Sequence, residues 1–463
     1  MHNRKPLLAG VTLLFVWASV ASCQKISNRY GIVCDTLMKT GLRSGGTYTL
    51  LQELTEQAPH RLAGSSGAAR GVELTKQMMQ RLGFANVHKE SCMVPHWERG
   101  PIEKAEILPG GGMRSIHLSV CALGGSIATA ANGITAEVVE VRSFDELREL
   151  GDRARGKIVF FNRPMDPAKL STFEAYGGAV DQRGGGAVAA AKAGGVAALV
   201  RSVTTAIDDV PHTGAMEYED TVVPVPAAAV STIGADRLSD MLKKNPRLRL
   251  RLKLTCQTFP DVLSANVVGE ITGSERPNEV IIVGGHLDSW DKGVGAHDDG
   301  SGCMQAIEAI SLIKSVGLTP KRTIRAVMFM NEENGLRGGR AYLIAPERAS
   351  EKQIAAIESD RGGFAPKGFD VQADSAVFEK VVRWRSLFER IDADRIRRGG
   401  SGVDISPMVQ NGVPGFGLVV ENHRYFDYHH SDNDTIDKVN QRELEMGAIV
   451  EALLCYLISE EGL

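Results

Sequence analysis

Residues 286–302 read HLDSWDKGVGAHDDGSG and follow the apolar run Val280-Ile281-Ile282-Val283, closed by Gly284-Gly285. An uninterrupted apolar run of this kind reads as a buried strand of a parallel sheet, and the glycines let its end turn sharply. His286 therefore sits where a strand delivers side chains to the sheet rim, and Asp288, Asp298 and Asp299 follow shortly after it. Imidazole and carboxylate together suit borderline cations such as zinc. A solvated acidic loop with an incidental histidine is the competing reading, and neighbouring segments decide against it.

Residues 324–330 form a second strand-like run that leads straight into Asn331-Glu332-Glu333. Consecutive side chains on an extended chain point to opposite sides, so one carboxylate can hold a metal while its neighbour faces substrate. A shorter apolar stretch, 354–357, precedes Glu358-Ser359-Asp360, and 416–420 precedes Tyr428-His429-His430 and Asp434. Each acidic or imidazole cluster follows a predicted strand, as expected where open α/β sheets bind ligands at strand carboxyl ends.

The segments HLDSWD, DDGSG, NEENG, ESD and HHSDNDT, in this order, together with PHRLAGS at 59–65 and VPHWERG at 94–100, carry a family resemblance. The chain resembles the M28 zinc peptidases and, within them, the plasma glutamate carboxypeptidase (carboxypeptidase Q) subgroup. The resemblance implies an α/β fold: a mixed, mostly parallel central sheet flanked by helices, with an inserted protease-associated-like β-rich domain. It also implies a pair of Zn2+ ions bridged by Asp298, one held by His286 and Asp360, the other by Glu333 and His430. Glu332 would be the general base toward a shared water, and Asp288 would orient His286 through its other ring nitrogen. Two close ions polarise a carbonyl and acidify water, and a carboxylate beside them can shuttle the proton. The implied substrates are small peptides, dipeptides with free termini above all, and a homodimer is implied as well.

His430 is preferred to His429 as ligand because it lies four residues before Asp434, the family's spacing. His429 then occupies the place where relatives often carry a tyrosine, so the oxyanion donor is His429, Tyr428 or another group. His297 reads as a rim residue and Asp299 as a turn former. Asp404, in Ser401-Gly402-Val403-Asp404, is a candidate partner for a substrate ammonium, or else a carboxylate holding its loop. Aminopeptidase, carboxypeptidase and dipeptidase remain open, as does a non-catalytic binding protein that retains the fold.

Composition agrees with a soluble enzyme. The chain has 463 residues, room for two or three well-buried domains. Lys and Arg number 53 against 56 Asp and Glu, a net charge of −3 that argues against a nucleic-acid surface. The chain lacks HExxH, GxSxG and a Walker A sequence, which excludes thermolysin-like, α/β-hydrolase and P-loop chemistry.

The N-terminus reads as a signal peptide over residues 1–22: Arg4 and Lys5, then an apolar stretch too short for a comfortable span. Val20-Ala21-Ser22-Cys23 resembles a lipobox with Cys23 as the lipid anchor, and cleavage after Ala21 is the alternative. The expected location is periplasmic or a cell-envelope lipoprotein, otherwise secreted. Cys34, Cys92, Cys121, Cys256, Cys303 and Cys455 show no paired spacing. Export permits disulfides, and Cys121 with Cys256 is the pairing the domain layout suggests.

Residues 23–120 are expected to form the N-terminal part of the peptidase domain, 121–260 the insertion, and 261–463 the catalytic core. Within the insertion, 156–161 reads as a turn into a strand, 186–200 as a short helix followed by a strand, and 224–231 and 247–252 as further strands. Helices are expected over 68–82, 301–316 and 442–458, the last two with single apolar stripes.

Overall fold

The computed structural model describes residues 29–111 and 114–463. The expected signal peptide and Cys23 lie outside them. Among the described residues no helix is long and apolar enough to cross a membrane.

Among the described residues, sixteen strands fall into two eight-stranded sheets. In chain order they are β1 (Ala85–Glu98), β2 (Glu103–Leu108), β3 (Ile116–Leu118), β4 (Val120–Ala122), β5 (Ile134–Val141), β6 (Ile158–Phe161), β7 (Ala197–Arg201) and β8 (Ala227–Val230). There follow β9 (Arg249–Leu254), β10 (Gln257–Ile271), β11 (Arg276–His286), β12 (Arg322–Phe329), β13 (Lys352–Glu358), β14 (Pro366–Gln372), β15 (Arg395–Arg398) and β16 (Gly415–Val420).

The main sheet runs β1-β10-β12-β11-β13-β16-β14-β15. Its centre, β12-β11-β13-β16, is parallel, while β1, β10 and β14 bring antiparallel pairings. The sheet is therefore mixed with a parallel heart, as expected. Strands here are buried on both faces, and β12 shows no exposed position at all.

Helix Ser301–Ser315 packs behind β11, against helices Gly46–Gln57 and Gln441–Glu461. The expected single stripes on the two long helices are too narrow. Ser301 to Ile310 is buried without a break, and so is Gly447 to Leu454, because each helix is covered by the sheet and by other helices. A helix enclosed on all sides has no polar face to reveal its period.

This double burial traps carboxylates. Glu445 receives Thr47 N, Thr47 Oγ1 and Tyr48 N at 3.2, 2.6 and 2.9 Å, capping helix Gly46–Gln57, whose own Gly45 offers no side-chain cap. Glu308 faces the same spot, its Oε1 3.5 Å from Ser44 Oγ.

The second sheet runs β3-β2-β9-β5-β6-β7-β8-β4, parallel from β5 to β8 and antiparallel outside. It has its own cores, centred on Ile158, Phe160, Leu199, Leu250 and Leu252 on one face and Val159, Phe161, Ala198 and Val200 on the other. It begins earlier than the expected boundary at 121: β2 pairs with β9 along its whole length, from Glu103↔Leu254 to Leu108↔Arg249. Helices Phe144–Leu150, Asp181–Lys192 and Thr232–Lys244 make it α/β, not simply β-rich. The segment leaves and returns where β1 and β10 meet, at Glu98↔Gln257.

The suggested disulfide is absent. Cys121 and Cys256 are free, buried thiols in different cores, and Cys303 and Cys455 are free and buried in the main core.

Glu308 generates a stability prediction. Burial first, and the Glu445 carboxylate second, lift its pKa from the usual 4.5 to about 7. A carboxyl held protonated by the fold costs stability as pH rises from its unfolded to its folded pKa, and the cost is complete above the latter. Glu308→Gln is expected to stabilise the protein at pH 8 by up to about 3 kcal/mol and to be neutral near pH 4.5. Thermal unfolding at both pH values checks this.

Candidate metal centre and active site

The parallel heart of the main sheet gathers the site. His286 ends β11; Asn331-Glu332-Glu333 follows β12; Asp360 comes two residues after β13; and His430 lies ten residues past β16. Side-by-side strands running the same way place these separate segments at one rim.

Asp298 lies at the centre. Its Oδ1 is 3.2 Å from His286 Nε2 and its Oδ2 is 3.2 Å from His430 Nε2. Asp360 Oδ1 stands 3.6 Å from His286 Nε2, and Glu333 Oε2 stands 3.0 Å from His430 Nε2. The sequence-derived set thus converges as two clusters sharing Asp298. Asp298 Oδ2 and Asp360 Oδ1 are buried and accept no hydrogen bond. Buried carboxylate oxygens are rarely left so, and imidazole nitrogens with carboxylate oxygens pointed at common points are a zinc donor set.

Other acids are occupied by backbone amides. Asp288 accepts from Asn331 N, Glu332 N and Glu333 N at 2.7, 3.0 and 3.3 Å. This corrects its expected role: His286 Nδ1 is held at 2.9 Å by the Asp288 backbone carbonyl, while the carboxylate is 3.9 Å away. The side chain instead fixes the turn that presents Glu332 and Glu333. Asp299 accepts from His286 N and Gly302 N, as a turn former does. Asp434 accepts from His297 N and Asp298 N, setting the backbone beneath the central carboxylate.

The electrostatics follow from this crowding. Burial disfavours a charged His286, but Asp298 and Asp360 overcome it and hold its pKa well above normal. His430 is pushed to about 9 against burial, chiefly by Glu333 and Asp298. Glu332 is raised well above the usual range by burial, and Asp360 and Glu333 add to the rise.

Several expectations need correction. His429 stacks on His430 with centroids 3.4 Å apart, and its Nε2 reaches Asp298 Oδ2 only at 3.8 Å, so His430 has the closer approach. His297 is fully buried, stacked between Phe364 and Tyr428, and is no rim residue. Tyr428 spends its ring on that stack; the tyrosines against His429 are Tyr425 and Tyr176, at 5.2 and 5.4 Å. Asp404 is 0% exposed with both oxygens unpartnered, sealed from any substrate ammonium at the surface.

The sequence reading missed the contribution of the second sheet's domain. His212 Nδ1 is 2.6 Å from His429 O, Thr213 N donates to His430 O at 2.9 Å, and Arg183 Nη1 lies 3.5 Å from His430 Nδ1. His430 holds a left-handed φ of 59°, a conformation that costs a non-glycine residue and survives where its surroundings fix it. Trp290, from the metal loop, inserts into the core of the second domain, and its N donates to Glu333 Oε1 at 3.1 Å.

The quoted motifs at 59–65 and 94–100 are scaffolding. Arg61 is fully buried and donates to the carbonyls of Leu287, Val294 and Gly295 at 2.8, 2.7 and 2.8 Å, bracing the metal loop. Arg99 grips Asp291 at 2.8 and 2.5 Å and reaches Thr213 Oγ1 at 3.2 Å, tying that loop to the second domain.

Comparison with known proteins places this geometry. The model of peptidase family M28 matches residues 266–454. Carboxypeptidase Q of Bos taurus is 37% identical, covering 98% of this chain and 95% of its own length. The chain belongs to peptidase family M28, in the carboxypeptidase Q-like group. Carboxypeptidase Q of Homo sapiens is 36% identical, covering 95% of this chain and 90% of its own. Among solved structures, a peptidase M28 precursor from Shewanella amazonensis SB2B superposes with a TM-score of 0.89 at 35% identity, covering 94% of this chain and 97% of that one. A zinc aminopeptidase from Bacillus subtilis shares the fold at a TM-score of 0.63 and 20% identity, covering 88% and 94%. This M28 chain is a zinc-dependent peptidase acting on peptides.

Asp288→Ala leaves the amides of 331–333 without their acceptor and frees the turn that carries Glu332 and Glu333. The variant is expected to fold yet lose about 10–100-fold in zinc affinity or activity. Metal analysis after dialysis, with circular dichroism as the folding check, reads the outcome.

Proposed function

We propose that this M28 peptidase is a di-zinc exopeptidase hydrolysing small peptides, chiefly dipeptides with free termini. The observation that carries the reading is enclosure. His286, Asp298, Glu333 and His430 are 1%, 4%, 7% and 9% exposed, walled in by Thr213, Arg183 and Trp290. Ligand candidates enclosed to this degree favour a short peptide over a folded chain as substrate. The relatives named carboxypeptidase Q, at 37 and 36% identity, support exopeptidase action.

His286 and Asp360 would hold one ion, Glu333 and His430 the other, with Asp298 common to both. When bound, the zinc supplies Lewis acidity toward the peptide carbonyl and lowers the pKa of water. Glu332 takes a proton from the attacking water on its carboxylate and delivers it to the leaving amine. The turn fixed by Asp288 keeps Glu332 beside the ligands without making it one. The Asp288 carbonyl holds His286 so that Nε2 faces the cluster, the support ligating histidines require. We also propose export through residues 1–22 with Cys23 lipidated, and residues 103–254 as a protease-associated-like cover.

Purified protein is expected to contain two zinc per chain, to cleave dipeptides well above longer peptides, and to lose activity on chelation. Glu332→Gln is expected to keep its zinc while turnover falls on the order of 100- to 10,000-fold. Full activity in that variant would remove Glu332 as the base. Zinc-free wild type with no dipeptidase activity would point to a binding protein.

A further inference from the structure

Residues 247–253 read RLRLRLK, and the hydrolytic site uses none of them. In β9 the alternation sorts the two kinds of side chain by face. Leu250, Leu252 and Leu254 are buried with Ala105, Ile107 and Leu118, beneath Ala235, Leu238 and Leu242 of helix Thr232–Lys244. Arg249 and Arg251 are exposed, and Lys253 half-buried, on the other side. That side is covered only in part. Helices Phe144–Leu150 and Asp181–Lys192 pack there against β6, β7 and β8 through Leu147, Ala187 and Ala190. No residue of β2, β3 or β9 joins that core, so β3-β2-β9 turns a bare sheet face to solvent.

Acids stand in place to neutralise this row but are spent elsewhere. Glu106 lies directly opposite Arg251, and Glu137 directly opposite Arg249. Their carboxylates pair instead with Lys104 at 3.1 Å and Lys157 at 3.2 Å. Arg249 and Arg251 reach only the carbonyl and the hydroxyl of Thr135, each at 3.4 Å. Among the described residues no carboxylate forms an ion pair with Arg247, Arg249, Arg251 or Lys253. Lys253 also stands directly opposite Lys104, and like charges so placed destabilise a sheet. Surface charges are ordinarily interspersed in sign. Here one sign repeats at every second residue, roughly 6.6–6.8 Å apart along the strand.

We propose that the exposed face of β9 is a docking surface for a linear acidic polysaccharide, laid along the strand so that Arg247, Arg249, Arg251 and Lys253 meet successive anionic groups. Guanidinium forks suit carboxylate oxygens, and short basic runs are a footprint of such polymers. Thr135 and His117, on strands flanking the row, offer hydrogen bonds to sugar hydroxyls. Other polyanions fit less well. Strands β2, β3 and β9 place no Phe, Tyr or Trp on this face for bases to stack on. Leu108 is the single apolar side chain they present there, too little to enter a bilayer. The proposed anchor points the same way. Arg29 pairs with Glu461 at 3.0 Å, and Glu460 accepts from Lys321 N at 3.2 Å, beside the amino end of β12. The second domain sits over the opposite rim, against His429 and His430. A bilayer holding Cys23 would meet the first pole and not β9. A peptide long enough to span the row exceeds the small substrates proposed above.

Binding of the purified protein to immobilised heparin, a sulfated polysaccharide that carries uronic acids, tests the assignment. Wild type is expected to bind heparin, to release it steeply as salt rises, and to ignore neutral dextran. R249S with R251S should weaken heparin binding on the order of 10-fold or more, while dipeptide hydrolysis and thermal unfolding stay as in wild type. R249K with R251K keeps the charge and should keep most of the affinity. K243S with K244S removes the same charge from the helix on the opposite face and should bind within about twofold of wild type. No binding by wild type, binding indifferent to salt, or equal losses in the two serine pairs overturns the proposal. A loss in the lysine pair as large as in R249S with R251S does so too, since it would mark an effect on the fold. Duplex DNA, poly-L-glutamate or phosphatidylglycerol vesicles bound as tightly as heparin would give the face to a nucleic acid, an acidic protein or a membrane, and likewise overturn it.

Discussion

Crowding carboxylates into a space shielded from water is the constraint around which this molecule is organised. The chain meets it in two ways. Asp288, Asp299, Asp434 and Glu358 are each surrounded by backbone amides that supply partial positive charge at fixed positions. Asp298, Asp360 and one oxygen of Glu333 receive no such amides and face imidazole nitrogens. The division separates scaffold from ligand without appeal to any bound ion. Amide-saturated acids shape turns, and those that face imidazole nitrogens form the candidate donor set; Asp404 and Glu451 are buried without partners and belong to neither class. The parallel arrangement of β12-β11-β13-β16 makes the arrangement affordable, because neighbouring strand ends bring both kinds together at one rim.

Much of this was legible from residue order, for identifiable reasons. Parallel strands buried on both faces leave continuous apolar runs, and the functional residues follow them within a few positions. The clusters that contain His286, Glu332, Glu333 and Asp360 were therefore readable locally, while the choice of individual ligands and of the base, Asp298 and His430 included, drew on the family resemblance. Where the reading failed, the cause was spatial. Asp288 serves His286 through its carbonyl, and a sequence cannot say whether a residue acts by backbone or side chain. His297 looked like a rim residue because its neighbours are polar, yet Phe364 and Tyr428 arrive from distant segments to enclose it. Strands β2 and β3 lack any local mark that binds them to β9, so the start of the second domain was placed too late. The contacts of His212 and Arg183 span 217 and 247 residues, beyond any periodicity argument.

The two domains are coupled through the chemistry itself. Trp290 lies between metal-loop residues and the second domain's core, where Gly124 leaves just enough room for its indole. The same residue's amide steadies Glu333. Arg99 binds Asp291 and Thr213 at once, and Thr213 in turn anchors His430. Disturbing the packing between domains therefore disturbs the ligands, although no ligand belongs to the second domain.

The second domain enters and leaves through adjacent positions of one antiparallel ribbon, Glu98 and Gln257. A module attached at a single doorway can be rebuilt over evolutionary time with little effect on the sheet that hosts it. Drift within residues 103–254 is then tolerated away from Gly124, Arg183 and Thr213, the positions that touch Trp290 and His430.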